Sequence, residues 1–232
     1  MVHTITQENR DVLYRLLAPI YVRLARLVPA AVSPNQLTFA GLGCVLLASA
    51  LLVTWSSPLA FVAAAALVLA YETLDCIDGK HARATGQTSR YGAFLDDAVD
   101  MITINMLFPA LLIRLDLLSP VFIFAVAFRA IYQGVMYAGA VELAVRINPE
   151  IGTSFENYLI AGVLLLTFFV PGAIDVATHL EVGSWLRGFL VAQRLDGVDF
   201  VRALLLVMLV LMPISAVQGF IEVKRFIDGE KP

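Results

Sequence analysis

Apolar residues gather in long runs along this chain, separated by short polar breaks. A helix that crosses a bilayer needs about 20 mostly apolar residues. Residues 36–55, 59–74, 121–145, 158–176 and 200–221 supply such runs. Residues 91–115 are less plain: their second half is apolar, but their first half contains Asp96, Asp97 and Asp100. They are counted as a span because the runs on either side would otherwise need a long structureless connection. The pattern predicts an all-α, polytopic integral membrane protein with six transmembrane helices.

Residues 12–28 follow a different rule. At about 100° per residue, Leu13, Leu16, Leu17, Ile20, Leu24, Leu27 and Val28 share one face, with Arg15, Arg23 and Arg26 beside it. This predicts an amphipathic helix lying on the membrane surface; a helix packed on protein is the alternative. Val32-Ser33-Pro34 ends it. Residues 1–33 therefore read as an interfacial segment and 34–232 as the six-span domain. The first 11 residues contain Glu8 and Asp11 and lack the apolar core of a cleaved signal peptide.

Six spans put both termini on one side. That side holds Arg10, Arg15, Arg23, Arg26, Lys80, Arg83, Arg90, Arg146, Lys224, Arg225 and Lys231, and the other holds Arg114, Arg187, Arg194 and Arg202. The bias places the termini and the 75–92 connection in the cytoplasm.

Composition agrees: 59% of the 232 residues are hydrophobic and 15% charged, with a mean hydropathy of +0.82. A soluble domain is nearer half apolar and a quarter charged. This argues against a water-soluble enzyme and against disorder. Sixteen Lys and Arg against 19 Asp and Glu give a net charge of −3, which excludes nucleic-acid binding through a basic surface. Cys44 and Cys76 form no CxxC pair, so neither a disulfide framework nor a zinc site is expected.

The chemistry gathers at residues 75–100. Asp75 and Asp78 stand three apart at the end of the second span, and Asp96 and Asp100 four apart near the start of the third. Each pair shares a helix face, and the short connection makes the two helices antiparallel neighbours. Four carboxylates then converge at the membrane edge, where each alone is costly. Divalent cations relieve both the desolvation and the repulsion. An all-oxygen donor set favours Mg²⁺ or Mn²⁺ over zinc, and four carboxylates suit two ions clamping a phosphoryl group. Gly79 and Ala82 leave room for a ligand near the backbone, Gly92 opens space at the third span, and Arg83 suits a phosphate.

The string D-x2-D-G-x2-A-R-x8-G-x3-D-x3-D, from Asp75 to Asp100, resembles the signature of the CDP-alcohol phosphotransferases at all eight positions. That resemblance implies cleavage of a CDP-alcohol, release of CMP and transfer of the phospho-alcohol to an acceptor hydroxyl in phospholipid synthesis. It implies that Asp75, Asp78, Asp96 and Asp100 hold two divalent metals on the CDP pyrophosphate. It also implies that Asp100 is the base that takes the acceptor's proton. Gly79, Ala82, Arg83 and Gly92 would contact the CDP-alcohol, with Asn35 and Thr38 as further candidates on the nucleotide side. A homodimer in the bilayer is expected by the same resemblance.

Within that family the sequence points two ways. Tyr71 to Arg83 and the approach Pro34-Asn35-Gln36-Leu37-Thr38 resemble the choline/ethanolamine phosphotransferases. That group has a His directly after the third signature aspartate, where Asp97 stands here. Ser89 to Asp96 is closer to the phosphatidylinositol-phosphate synthases and their archaeal inositol-lipid relatives, which often have an Arg where Met101 follows Asp100 here. Arg129, near the middle of the fourth span, is a candidate for binding a phosphorylated acceptor such as inositol phosphate or glycerol phosphate. A salt bridge or a snorkelling side chain would also account for it. His81 reads as a solvated loop residue. A divalent-metal transporter is the alternative of another class, but it would spread its acids near mid-bilayer over several spans. A scaffold that keeps the fold without activity would not need all four carboxylates.

Overall fold

The computed structural model describes residues 12–116, 119–143 and 153–169, with Val217, Ile221 and Lys224. The chain forms α1 (Val12–Leu27), α2 (Pro34–Thr54), α3 (Leu59–Thr85), α4 (Arg90–Arg114), α5 (Pro120–Leu143) and α6 (Thr153–Phe169). Among the described residues there is no strand. The expected span at 200–221 lies outside them apart from Val217 and Ile221, which are helical and exposed.

Two helices, α2 and α3, are long and apolar enough to cross a membrane; the described apolar parts of α5 and α6 are shorter. Helix α4 has 25 residues, but its first half includes Arg90, Asp96, Asp97 and Asp100.

Local chemistry sets the helix ends that position the site. Ser33 caps α2 through a reciprocal pair: its Oγ accepts from the Gln36 amide at 3.3 Å, and Gln36 Oε1 accepts from the Ser33 amide at 2.8 Å. Pro34 occupies the first turn, where its missing N–H costs nothing. This fixes Asn35 and Thr38 in the first turns of α2. Ser89 caps α4 by accepting from the Gly92 amide at 2.9 Å.

Helix α3 runs further than the apolar pattern suggested. It continues through the acidic segment to Thr85 and stops at Gly86, whose φ of 69° suits glycine. The connection expected at 75–92 therefore shrinks to residues 86–89. At about 1.5 Å per residue the 27 residues of α3 extend about 40 Å, beyond a hydrocarbon core of about 30 Å.

Packing corrects one expectation. Helices α3 and α4 are successive, yet among the described residues they barely approach each other. Instead α2 packs against both, and α3 also packs on α6. The main core joins Ala48 and Leu52 of α2, Ala64, Ala65 and Val68 of α3, Leu107, Phe108, Ala110, Leu111 and Leu112 of α4, Phe122 of α5 and Ile160, Ala161, Val163 and Leu164 of α6. The alanines let neighbouring backbones close in. At the far end from the aspartates, Arg114 donates to the carbonyls of Ser56 and Ser57 at 2.9 and 3.2 Å and stacks on Phe61.

Helix α1 divides the apolar face read from its sequence. Leu17, Tyr21, Leu24, Ala25 and Val28 pack against Leu37, Cys76 and Ile77, while Leu16, Ile20 and Leu27 are exposed. Tyr21 is hydrogen-bonded to Tyr158 of α6, and burial together with that bond pushes its phenol above the ordinary range. Lys80 lies over the Tyr21 ring.

Candidate active site between α3 and α4

The gap between α3 and α4 is bridged by side chains. Asp75, Asp78, Asp96 and Asp100 all stand toward one end of these two helices. Asp100, Asp96, Glu72 and Asp78 are each close enough to Asp75 to repel its charge. Asp75 Oδ1 is buried and accepts no hydrogen bond. A buried carboxylate oxygen in that state is costly and is the kind of group a cation satisfies. The residues thus fit a hard divalent ion. Among the described residues, no three His, Cys, Asp or Glu side chains converge as a ready-made metal cluster. Two of the four carboxylates, Asp78 and Asp100, are engaged by hydroxyl donors.

Those donors are specific. The Thr38 hydroxyl donates to Asp78 Oδ2 at 2.5 Å, and the Tyr71 hydroxyl to Asp100 Oδ1 at 2.6 Å. Both donors are buried. Thr38, singled out on the nucleotide side, thus directs its hydroxyl to an acidic residue of α3.

The small residues stand beside polar groups. A Cβ on Gly92 would lie 3.2 Å from Asn35 Oδ1 and 3.1 Å from Ser89 Oγ. The start of α2 thereby meets the start of α4, and Asn35 lies next to Gly92. A Cβ on Gly79 would lie 3.4 Å from Arg83 Nη1, so the guanidinium folds back over the glycine. Arg83 is exposed at the end of α3, and Ala82 is buried.

Arg129 is buried. Gln133, one turn along α5 on the same face, accepts from Asn105 Nδ2 of α4 at 3.0 Å. His81 is not a solvated loop residue. It lies inside α3, 1% exposed, with Nε2 2.8 Å from the Val32 carbonyl. Because α3 continues past the acidic segment, the residue ties the α1–α2 linker to that helix instead. Gln87 adds a second tie, donating to the Ala30 carbonyl at 3.0 Å.

Two side chains were missed from sequence. Tyr71 stands four residues before Asp75, the spacing of a shared face, so the signal was present. Glu72 is an acid within an apolar helix, a signal in its own right. It is 2% exposed, accepting from Asn157 Nδ2 at 2.9 Å and from Cys76 Sγ at 3.3 Å. Asn157 could not be matched to Glu72 across 85 residues by any local pattern.

Sequence comparison relates the chain to known proteins. One stretch of 108 residues is 32% identical to cholinephosphotransferase 1 of Gallus gallus, covering 44% of this chain and 32% of that protein. Another of 78 residues is 38% identical to archaetidylinositol phosphate synthase of Pyrococcus horikoshii, covering 33% of this chain and 39% of that protein. Each match thus spans between about a third and two fifths of the relative's own length. A far larger part of the chain, residues 31–193, matches the family model for CDP-alcohol phosphatidyltransferase. That stretch contains Asp75, Asp78, Asp96, Asp100, Gly79, Gly92, Arg83 and Arg129, and the chain belongs to the CDP-alcohol phosphatidyltransferase family.

Proposed function

We propose that this chain is a membrane enzyme that transfers a phospho-alcohol from a CDP-alcohol to an acceptor hydroxyl, releasing CMP. The observation that carries the reading is the buried, unsatisfied Asp75 Oδ1 amid Asp78, Asp96 and Asp100. These four residues would hold two Mg²⁺ or Mn²⁺ ions. When bound, the ions would neutralise the pyrophosphate and ease departure of CMP. Arg83, Gly79, Ala82 and Gly92 would receive the phosphates and nucleotide, with Asn35 beside Gly92. The acceptor oxygen attacks the phosphorus that bears the donor alcohol, and the bond from that phosphorus to the CMP oxygen breaks. CMP leaves with the electron pair, while Asp100 takes the acceptor's proton. Release of CMP from a panel of CDP-alcohols, with mass detection of the lipid product, tests the reading. An intact chain that releases none would overturn it.

For the substrates, our first reading is CDP-diacylglycerol with a phosphorylated polar alcohol such as inositol phosphate or glycerol phosphate. Four carboxylates and two divalent cations are together near neutral and offer a phosphate dianion no net attraction. Arg129, buried in the middle of α5, would supply the missing charge. The Pyrococcus relative is in keeping with this. A second reading is favoured by Glu72, whose two hydrogen bonds come from neutral groups. A buried carboxylate of that kind suits a cationic aminoalcohol on the donor, with diacylglycerol as acceptor, in line with the Gallus relative.

The same proposal places the chain in the bilayer as a multi-pass protein with six spans, with its termini and site facing the cytoplasm. The exposed face of α1 would rest on the lipid surface through Leu16, Ile20 and Leu27. Outward apolar residues such as Phe124, Phe128 and Ile131 on α5 suit lipid or a second copy in a homodimer.

A further inference from the structure

Tyr71 reaches from α3 to an acid of α4, and four features define its place. It is 1% exposed. Its hydroxyl donates to Asp100 Oδ1 at 2.6 Å, although the two backbones barely approach. Its ring packs with Val45 of α2 and with Leu95 and Val99 of α4, the last being Asp100's own neighbour. Finally, α2 makes room for it: a Cβ on Gly41 would stand 3.1 Å from Tyr71 Cδ2. The ring is therefore clamped from two helices, and its hydroxyl is held at a fixed point.

We propose that Tyr71, seated against Gly41, is the positioning residue that orients the Asp100 carboxylate for the transfer step. This rests on the phosphotransfer reading above. A free aspartate has two rotatable bonds and samples several orientations. The Tyr71 bond uses one lone pair of Oδ1 and fixes the carboxylate plane, which leaves the other lone pair of Oδ1 for a metal ion and Oδ2 for the acceptor's proton. Misplacing a reacting group by about 1 Å costs about 100-fold in rate, so the clamp acts on turnover rather than on binding. Tyr71 touches neither substrate in this scheme; it acts through Asp100 alone.

The test uses the full chain in lipid nanodiscs, with Tyr71→Phe, which keeps the ring and removes only the hydroxyl. A hydrogen bond to a charged group is worth roughly 10- to 100-fold, so kcat should fall by that factor. KM for both substrates and the metal activation constant should stay within about twofold. Tyr71→Phe combined with Asp100→Asn should be no slower than Asp100→Asn alone. Gly41→Ala, which keeps the hydroxyl but crowds the ring, should lower kcat in the same direction, and it bears the test if Tyr71→Phe does not fold. An unchanged kcat, a loss confined to the metal constant, or additive losses in the double variant would each overturn the proposal. Those outcomes require an active wild type. A wild type that releases no CMP from any CDP-alcohol overturns the transfer reading and this proposal with it.

Discussion

Thr38 on α2 and Asp78 on α3 share one short hydrogen bond, 2.5 Å from the threonine hydroxyl to Oδ2, with both side chains buried. The bond holds one acid of the site against a helix that contributes no acid itself. Buried carboxylates need such donors, since an unpaired one loses the full solvation it had in water.

Replacing Thr38 by Val keeps the side-chain shape and removes the donor. A hydrogen bond to a charged group is worth about 1.5–3 kcal/mol. CMP release should fall roughly 10- to 100-fold, while Thr38→Ser should stay near wild type. Equal rates for Val and Ser would mean that the hydroxyl is idle.

For the metals, turnover should vanish in excess EDTA and return with Mg²⁺ or Mn²⁺. Asp75→Asn and Asp96→Asn should lose nearly all activity while the protein keeps its helical signal and its elution volume. Full activity in EDTA would remove the metal assignment.

For the base, Asp100→Asn should retain CDP-alcohol binding and lose about 10²-fold or more in kcat, the usual scale for general-base help. Asp97 lies about 100° round α4 from Asp96, so Asp97→Asn should be milder. The reverse ranking would show that the catalytic face has been misassigned.

For the acceptor, Arg129→Gln should raise KM for a phosphorylated acceptor about 10- to 100-fold, the loss of one charge-assisted hydrogen bond. Activity confined to diacylglycerol, or unchanged kinetics with a phosphorylated acceptor, would instead favour the aminoalcohol reading, in which Glu72→Gln is the damaging change.

For the donor, Gly92→Ala would set a methyl 3.2 Å from Asn35 Oδ1 and 3.1 Å from Ser89 Oγ. The crowding should raise KM for the CDP-alcohol with little change for the acceptor. An equal rise for both substrates would point to a general distortion of the α4 start.

The signature aspartates were legible because their spacing is local: three and four residues are one turn of helix, and the acids stand out in an apolar chain. The start of α2 was legible for the same reason, since Ser33-Pro34 acts within its own turn. What joins the elements was not. Tyr71 to Asp100, Thr38 to Asp78 and Asn157 to Glu72 are separated by 29, 40 and 85 residues, and no periodicity encodes which partner a side chain meets. His81 was misread because the acidic segment looked like a loop. The helix persists there because no breaker occurs before Gly86 except Gly79, which a helix tolerates at about 1 kcal/mol. Helices α3 and α4 were expected to pack because a short turn joins them, yet each packs on α2 instead.

That α2 lies against both α3 and α4 gives the acidic centre a common datum. The four-residue turn at 86–89 ties the two halves covalently, but their relative height and rotation are referred to the same third rod through Thr38, Gly41 and Asn35. Small errors in the turn are thus absorbed, whereas a shift of α2 by one turn would displace the contacts to both halves together. Under the bilayer placement proposed above, such an arrangement would tie the spacing of the acids to α2 rather than to the surrounding lipid.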